Sequence, residues 1–196
     1  MKKRVAKIAR KTRETDITVE LNLDGSGDYR ISTGIPFLNH MLELFAKHAL
    51  VDLKIKARGD LEVDYHHTVE DVGLTLGKAL DEALGDRKGI VRYGWSVLPM
   101  DEALSRVAID LGGRPYLVFG VTTRRKKIRD FDLGLIQEFF RALVTESRMN
   151  LHIKQMYGED PHHVYESIFK GFAKALAMAC GKNSRVKGIP SSKGKI

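Results

Sequence analysis

Two short stretches of the chain combine histidine and glutamate at the spacing of metal ligands. Residues 64–70 read DYHHTVE and residues 160–166 read DPHHVYE, so both have the form Asp-x-His-His-x-x-Glu. Residues four apart share one face of a helix, so the first histidine and the glutamate of each copy can hold one cation. These pairs are His66 with Glu70 and His162 with Glu166. Recurrence of the motif, with four of the seven histidines, predicts two metal sites.

The second histidine of each motif lies about 100° further round its helix, turned away from the cation held by its neighbour. The simplest scheme therefore crosses the copies: His67 joins the second pair, and His163 joins the first. His40 and His152 can add one imidazole to each set. Three imidazoles and one carboxylate leave two octahedral positions open, which favours Mn²⁺ over Fe²⁺ or Zn²⁺. The alternative, histidines as surface polar groups, is disfavoured because the positive end of a helix repels an imidazolium.

Composition restricts the class of protein. The chain has 196 residues, of which 43% are apolar and 30% charged, as in an ordinary globular protein. A net charge of +8 suits nucleic acid or a small anionic substrate. The basic run at 124–129 has no interleaved aromatic residues and is expected to be a solvated loop, so we predict no nucleic-acid partner. Short apolar runs, the lack of a signal-peptide core and a single cysteine, Cys180, predict a cytoplasmic protein with no membrane partner.

The repeat extends beyond the two motifs and predicts a duplicated half-domain. Residues 78–80 and 174–176 match at the same offset of 96, and DLKIK at 52–56 resembles NLHIK at 150–154. We predict an α+β protein with two half-repeats, 1–90 and 91–196, each in the order strands, helix, strand, helix. Helices are expected to pack between or against two mixed β-sheets. The expected helices are 36–49, 65–84, 132–149 and 161–180, and the expected strands are 17–23, 53–57, 105–111, 116–122 and 151–155.

Local signals predict three further details. Strands 105–111 and 116–122 should form a pair around GGRP. The segment DGSGD at 24–28 should be a hairpin turn. Asp64 and Asp160 should be the N-caps of the two motif helices.

The order and spacing of several motifs resemble the imidazoleglycerol-phosphate dehydratase family over nearly the whole chain. The motifs are RETDITVEL (13–21), STGIPFLNHML (32–42), DYHHTVEDVG (64–73), GIVRYG (89–94), PMDEAL (99–104), DLGGRPY (110–116), NLHI (150–153), DPHHVYESIFK (160–170) and PSSKG (190–194). The resemblance implies a ribosomal protein S5 domain 2-like fold and a carbon–oxygen lyase of histidine biosynthesis that contains two Mn²⁺ ions per active site. It further implies 24 subunits built from trimers, with metals at subunit contacts, so crossed ligands can come from different chains.

The implied reaction removes water from imidazoleglycerol phosphate and yields imidazole-acetol phosphate. No carbonyl acidifies the C–H bond, so two Lewis acids on the ring nitrogens would favour an imidazolate that expels hydroxide and forms a diazafulvene. By resemblance, Glu14 is the leading acid or base and also contacts substrate, whereas Glu70 and Glu166 are ligands first and proton carriers second. The family pattern assigns phosphate binding to His48, Arg92, Arg114, Lys170, Ser191 and Lys193.

Three positions depart from the family pattern: Asn39 replaces aspartate, Leu44 replaces glutamine, and Gly112 replaces serine. Three other functions compete with the dehydratase. A dinuclear phosphate-ester hydrolase would use the same ligands, but a bridging-carboxylate centre is not evident. An RNA-binding module explains the charge and not the histidine motifs, and in a metal-storage or structural assembly the metals would only join subunits.

Overall fold

The computed structural model describes residues 3–196 and contains one α+β unit. Met1 and Lys2, which open the predicted first half-repeat, lie outside the described residues. The strands are β1 (Val5–Lys11), β2 (Thr15–Asn22), β3 (Tyr29–Ser32), β4 (Asp52–Gly59), β5 (Tyr93–Met100), β6 (Ala103–Asp110), β7 (Tyr116–Gly120), β8 (Lys127–Ile128), β9 (Phe131–Asp132) and β10 (Asn150–Tyr157). The helices are α1 (Pro36–Ala49), α2 (His66–Leu84), α3 (Gly134–Ser147) and α4 (Pro161–Cys180).

Two four-stranded mixed sheets repeat one topology. The first has the order β1-β2-β4-β3 and the second has the order β5-β6-β10-β7. In each sheet the first three strands in this order are antiparallel, and the last strand runs parallel to its neighbour. Strand residues alternate between buried and exposed positions, so each sheet presents one apolar face to the interior.

The four helices lie between the inner faces of the two sheets. α2 packs on the first sheet, and α4 packs on the second. Contacts between α2 and α3 and between α1 and α4 join the two halves. Gly73 and Gly77 let α2 approach α3 closely, because a Cβ atom there would lie 2.6 Å from the Phe139 oxygen and 2.5 Å from the Leu143 oxygen. One continuous hydrophobic core therefore joins the halves. No helix in residues 3–196 is long and apolar enough to cross a membrane.

Strand register shows how the two halves correspond. Adding 88 to residue numbers in β1 and β2 gives the equivalent pairs in β5 and β6, and adding 98 relates β4 to β10. The matching pairs are Ile8–Val19 with Ser96–Val107, and Ile17–Ala57 with Ser105–Gln155. The predicted α+β fold with duplicated halves is confirmed; the boundary between residues 90 and 91 stays a prediction.

Several local expectations were wrong because long-range pairing decides strand neighbours. The strands near 105–111 and 116–122 are not paired, because β10 lies between β6 and β7. Residues 24–28 form a turn but no hairpin, since β3 pairs with β4 instead of β2.

Asp160 is the N-cap of α4, as expected. Tyr65 is the N-cap of α2, although Asp64 still accepts a hydrogen bond from the His66 N–H at 2.7 Å. The sequence analysis also missed β1, β3 and β5 and the two-residue strands β8 and β9.

Candidate active site

The second motif contributes to a compact cluster of ligand atoms. His40 Nε2 lies 2.9 Å and His162 Nε2 lies 3.1 Å from the same oxygen, Glu166 Oε1. All three ligand atoms lie within 4.8 Å of one another. Metal–ligand bonds of about 2.1 Å place adjacent octahedral ligands roughly 3 Å apart, so this donor set fits a divalent cation.

Packing between α1 and α4 brings these three residues together. Phe37 lies one helical turn before His40, and its ring is 5.9 Å from the His162 ring. Further along the two helices, the Phe45 and Phe172 rings stack at 5.2 Å. Because both helices are anchored by aromatic contacts in the core, the spacing of the ligand atoms is set by rigid elements.

Glu166 is the carboxylate of this cluster and is its anionic member. Its side chain is buried, and its second oxygen accepts a hydrogen bond from Lys170 one turn further along α4. Burial by itself raises the pKa of Glu166, but hydrogen bonds from Lys170, His40 and His162 outweigh it and lower the pKa to about 2. Glu166 is therefore an anion ready to bind a cation at neutral pH.

The first motif is more open. His66 Nε2 and Glu70 Oε2 lie 3.5 Å apart, and both side chains are nearly half exposed, at 44% and 48%. Among residues 3–196, no third histidine, cysteine or carboxylate joins this pair at the spacing of the second cluster. The motif places one imidazole and one carboxylate on the same helix face, and their role as metal ligands stays a prediction.

The second histidine of each motif contacts carboxylates away from its own pair. His67 Nδ1 lies 3.0 Å from Asp60 Oδ2, and its Nε2 lies 4.0 Å from Glu14 Oε1. His163 Nδ1 lies 2.7 Å from Glu102 Oε2. The crossed scheme does not form inside one chain, because His67 is absent from the cluster around Glu166. It stays a prediction for contacts between chains.

These contacts change proton affinities. The hydrogen bond to Asp60 raises the pKa of His67, and the hydrogen bond to Glu102 raises the pKa of His163. Glu102 accepts the Asp160 backbone N–H as well as the His163 ring N–H, and together they lower its pKa to about 2. Both contacts thus increase the proton affinity of the second histidines.

Five of the six predicted phosphate residues fall into two groups. His48 and Lys170 lie near the second cluster, where burial and then the charges of Lys174 and Lys170 lower the pKa of His48. Arg92 lies elsewhere and holds Asp110 with two hydrogen bonds, at 2.6 and 3.0 Å. It also donates to the Pro190 oxygen at 2.8 Å, which places it beside the tail that carries Ser191 and Lys193. Arg114 is exposed.

His152 lies apart from the other predicted ligands. It is exposed on the outer face of β10, and its ring centre is 6.4 Å from that of Tyr116. Among residues 3–196, it joins no group of ligand atoms within a single chain. Its predicted role as a ligand therefore depends on another copy of the chain.

The sequence analysis missed Asp60 and Glu102 as residues that contact the histidines. Glu102 lies in the quoted PMDEAL segment, where its acidic side chain beside a turn was the available signal. Asp60 has no such signal, because only the fold brings it to His67. Asn39 is one of the three positions that depart from the family pattern. It accepts hydrogen bonds from the Thr33 backbone N–H at 3.0 Å and from Thr33 Oγ1 at 2.7 Å, which connects the first turn of α1 to the segment before it.

The fold and this donor set define a class: a two-sheet α+β protein with a histidine–carboxylate centre between its helices. A family model described as "Imidazoleglycerol-phosphate dehydratase" matches residues 33–176. The curated dehydratase of Geobacter sulfurreducens is 51% identical over 193 residues, which cover 98% of this chain and 99% of the relative. That of Acetivibrio thermocellus is 53% identical over 189 residues, covering 96% and 97% of the two chains.

Solved structures agree with these sequence relatives. The crystal structure of the dehydratase from Staphylococcus aureus matches with a TM-score of 0.83 and 40% identity, covering 91% of this chain and 99% of that one. The structure from Pyrococcus furiosus matches with a TM-score of 0.84 and 38% identity, covering 96% and 100%. The chain belongs to the imidazoleglycerol-phosphate dehydratase family. This confirms the recognised resemblance, the fold class and the enzyme class, a hydro-lyase of histidine biosynthesis.

Proposed function

We propose that this chain dehydrates D-erythro-imidazoleglycerol phosphate to imidazole-acetol phosphate with two Mn²⁺ ions in each active site. The observation that carries the proposal is the cluster of His40, His162 and Glu166 in a chain of this family. Nitrogen and oxygen donors at adjacent octahedral spacing suit Mn²⁺. The proposed ligand set is His40, His66, His67, Glu70, His152, His162, His163 and Glu166.

When bound, the two cations would act as Lewis acids toward the substrate imidazole and favour its electron-rich form. Glu166 and Glu70 would hold these cations from the two motif helices, with any proton transfer secondary. Expulsion of hydroxide from the carbon beside the ring would give the diazafulvene. Loss of the neighbouring C–H proton would then give an enol that becomes the ketone.

Glu14 is the proposed acid or base for these proton transfers. Its carboxylate is 54% exposed, is 4.0 Å from His67 Nε2 and lies in the β1–β2 turn. A half-exposed carboxylate beside a proposed metal ligand can reach a substrate held at that metal. Glu14 therefore also serves as a substrate contact.

Cationic and hydroxyl side chains would bind the substrate phosphate. Lys170 donates a hydrogen bond to Glu166, so a cation bound by Glu166 would leave the Lys170 ammonium group available to phosphate. His48 lies near Lys170, and Arg92 holds the tail that carries Ser191 and Lys193. Arg114 is exposed and available to substrate or to a neighbouring chain.

We propose that neighbouring chains complete each metal set in an assembly of 24 subunits built from trimers. Support comes from the outer face of the second sheet, where the register aligns four side chains in one row across the strands. This apolar outer row consists of Trp95, Ala108, His152 and Val118. Trp95 is 61% exposed and is flanked by exposed Tyr93, Val97 and Tyr116, a patch of the kind that forms protein interfaces. His152 would thus meet ligands of another chain.

The test is product formation from imidazoleglycerol phosphate by metal-stripped protein, with and without added Mn²⁺. We expect imidazole-acetol phosphate only when the metal is present. Inorganic phosphate should be measured in the same samples, because its release without ketone would identify a metal-dependent phosphate-ester hydrolase instead. Full metal loading with neither product would overturn the proposed reaction and leave the metal sites in place.

A further inference from the structure

The strand register relates Glu102 to Glu14, although the two residues lie in different sequence contexts. Each is the residue just before the second strand of its half, β2 or β6. The offset of 88 that aligns these strands makes Glu102 the counterpart of Glu14. Both turns therefore present a glutamate at the same place in the duplicated fold.

The two glutamates meet different nitrogens of the second motif histidine in their own half. Glu102 Oε2 is 2.7 Å from His163 Nδ1. Glu14 Oε1 is 4.0 Å from His67 Nε2. In the first half, Asp60 occupies the position on the Nδ1 side, with Oδ2 at 3.0 Å. A carboxylate thus contacts Nδ1 of both histidines.

A carboxylate on Nδ1 selects one form of a neutral imidazole. An ionised carboxylate only accepts hydrogen bonds, so Nδ1 must carry the proton and Nε2 must present its lone pair. The same contact fixes the rotation of the ring about its side chain. Nε2 is thereby left as the metal-binding atom of both second histidines, with Glu14 4.0 Å from that of His67 and Asp101 3.5 Å from that of His163.

We propose that Asp60 and Glu102 are positioning residues that hold His67 and His163 in the orientation and tautomer required to bind a divalent cation through Nε2. This inference rests on the proposed function, because it takes both histidines as ligands. It assigns the same task to two residues that are not equivalent in the duplicated fold. The first half thereby leaves Glu14, the counterpart of Glu102, free for proton transfer.

The surroundings of each carboxylate support a fixed position. Glu102 Oε1 accepts the backbone N–H groups of Asp160 at 2.8 Å and Glu159 at 3.2 Å, which connects the β5–β6 turn to the start of α4. The Asp60 side chain is only 21% exposed, and its backbone N–H donates to the Glu14 backbone oxygen at 3.1 Å. The Glu102 carboxylate is therefore held by the backbone next to His163, whereas Asp60 is fixed by its own backbone and by partial burial.

The experiment measures Mn²⁺ affinity and stoichiometry by titration calorimetry on metal-stripped full-length protein. The variants are Asp60→Ala, Asp60→Asn, Glu102→Ala and Glu102→Gln. Asn and Gln retain an acceptor oxygen without the charge, so they test orientation rather than ion pairing. Asp64→Ala and Asp160→Ala are matched controls, because these residues accept from the backbone of each motif helix and not from a ring.

We expect each alanine variant to weaken binding of one Mn²⁺ per chain by about 10–100-fold. The amide variants should recover most of that affinity, and the two controls should shift thermal stability with little change in affinity. Wild-type affinity in both alanine variants, or an equal loss in the controls, would overturn the positioning role. Wild-type protein that binds no Mn²⁺ would overturn the metal part of the proposed function, and the inference with it.

Discussion

One row of side chains on the outer face of each sheet has the same register but opposite chemistry, although Arg106 and Lys154 also lie on the outer face of the second sheet. The apolar outer row of the second sheet occupies the positions that in the first sheet hold Lys7, Glu20, Lys54 and Arg30. Glu20 accepts a hydrogen bond from Lys7 at 2.7 Å and lies 3.6 Å from Lys54. The side chains of this charged row therefore form ion pairs with one another at the solvent-exposed surface. Duplication therefore preserved the backbone, while one face became suited to solvent and the other to contact with protein.

The motif helices differ in the same way. In the second motif, packing of α1 on α4 adds His40 to a buried Glu166, and Lys170 contacts Glu166 from one turn further along α4. In the first, His66 and Glu70 stay half exposed without a third candidate ligand from the described part of the chain. Two motifs of the same form thus give one compact cluster and one open pair, because the residues around them differ.

The largest effect that we expect comes from placing a charge in the apolar outer row. Trp95→Asp should abolish the large assembly, because it buries an unpaired carboxylate and removes an aromatic anchor. Lys7→Asp is the matched control at the equivalent position of the first sheet and should leave particle size unchanged, although it alters charge more. Analytical ultracentrifugation distinguishes them. An unaltered assembly in Trp95→Asp would remove this face from the interface.

Glu14→Gln should lower turnover about 100-fold or more, because it removes a proton-transfer group while retaining the shape of the side chain. Mn²⁺ content and particle size should remain those of the wild type. Glu20→Gln is the control on β2, the strand that directly follows Glu14, and should keep full activity, since Glu20 lies in the charged outer row. Full activity in Glu14→Gln would show that another residue carries out the proton transfer.

His67→Ala and His163→Ala should weaken Mn²⁺ binding and assembly together, because each removes a proposed ligand shared between chains. We expect about a 10-fold or greater loss of affinity for one Mn²⁺ per chain, with a shift to smaller particles. Metal analysis and light scattering on the same samples measure both. Wild-type metal content and particle size in both variants would exclude the crossed-ligand scheme.

The smallest expected effect is on the stability of the metal-free chain. Glu166→Ala should lower the free energy of unfolding by about 2 kcal/mol, because Lys170 is left partly buried without its anion. Glu70→Ala should change it by less than about 0.5 kcal/mol, because Glu70 is half exposed. Urea unfolding at one chain concentration measures both.

The stability difference also depends on pH. The pKa of Glu166 is lowered from 4.5 to about 2, so its contribution is fully present above about pH 4.5. That contribution should be lost as pH falls from about 4.5 toward 2. If the difference in the free energy of unfolding between wild type and Glu166→Ala stays constant over this range, the charge of Glu166 does not cause that difference.

Local signals in the sequence were sufficient for several elements. Pro36 opens α1 as expected, and Asp160 with Pro161 opens α4, because capping chemistry acts over a few residues. The strand β1 was missed because three charged side chains interrupt the four apolar ones in its residues, VAKIARK. Its buried residues, Ala6 and Ile8, form the apolar side of a strand only when β1 pairs with β2.

The sequence by itself determined the duplicated α+β design, the two histidine–glutamate pairs and the family, because these depend on residue types at short helical spacing and on motif order. Only the tertiary structure decided that His40 joins His162 and Glu166, that Asp60 and Glu102 face the second histidines, and that His152 lies on an outer face. Those relationships join residues up to 126 positions apart, and helix packing and strand register establish them.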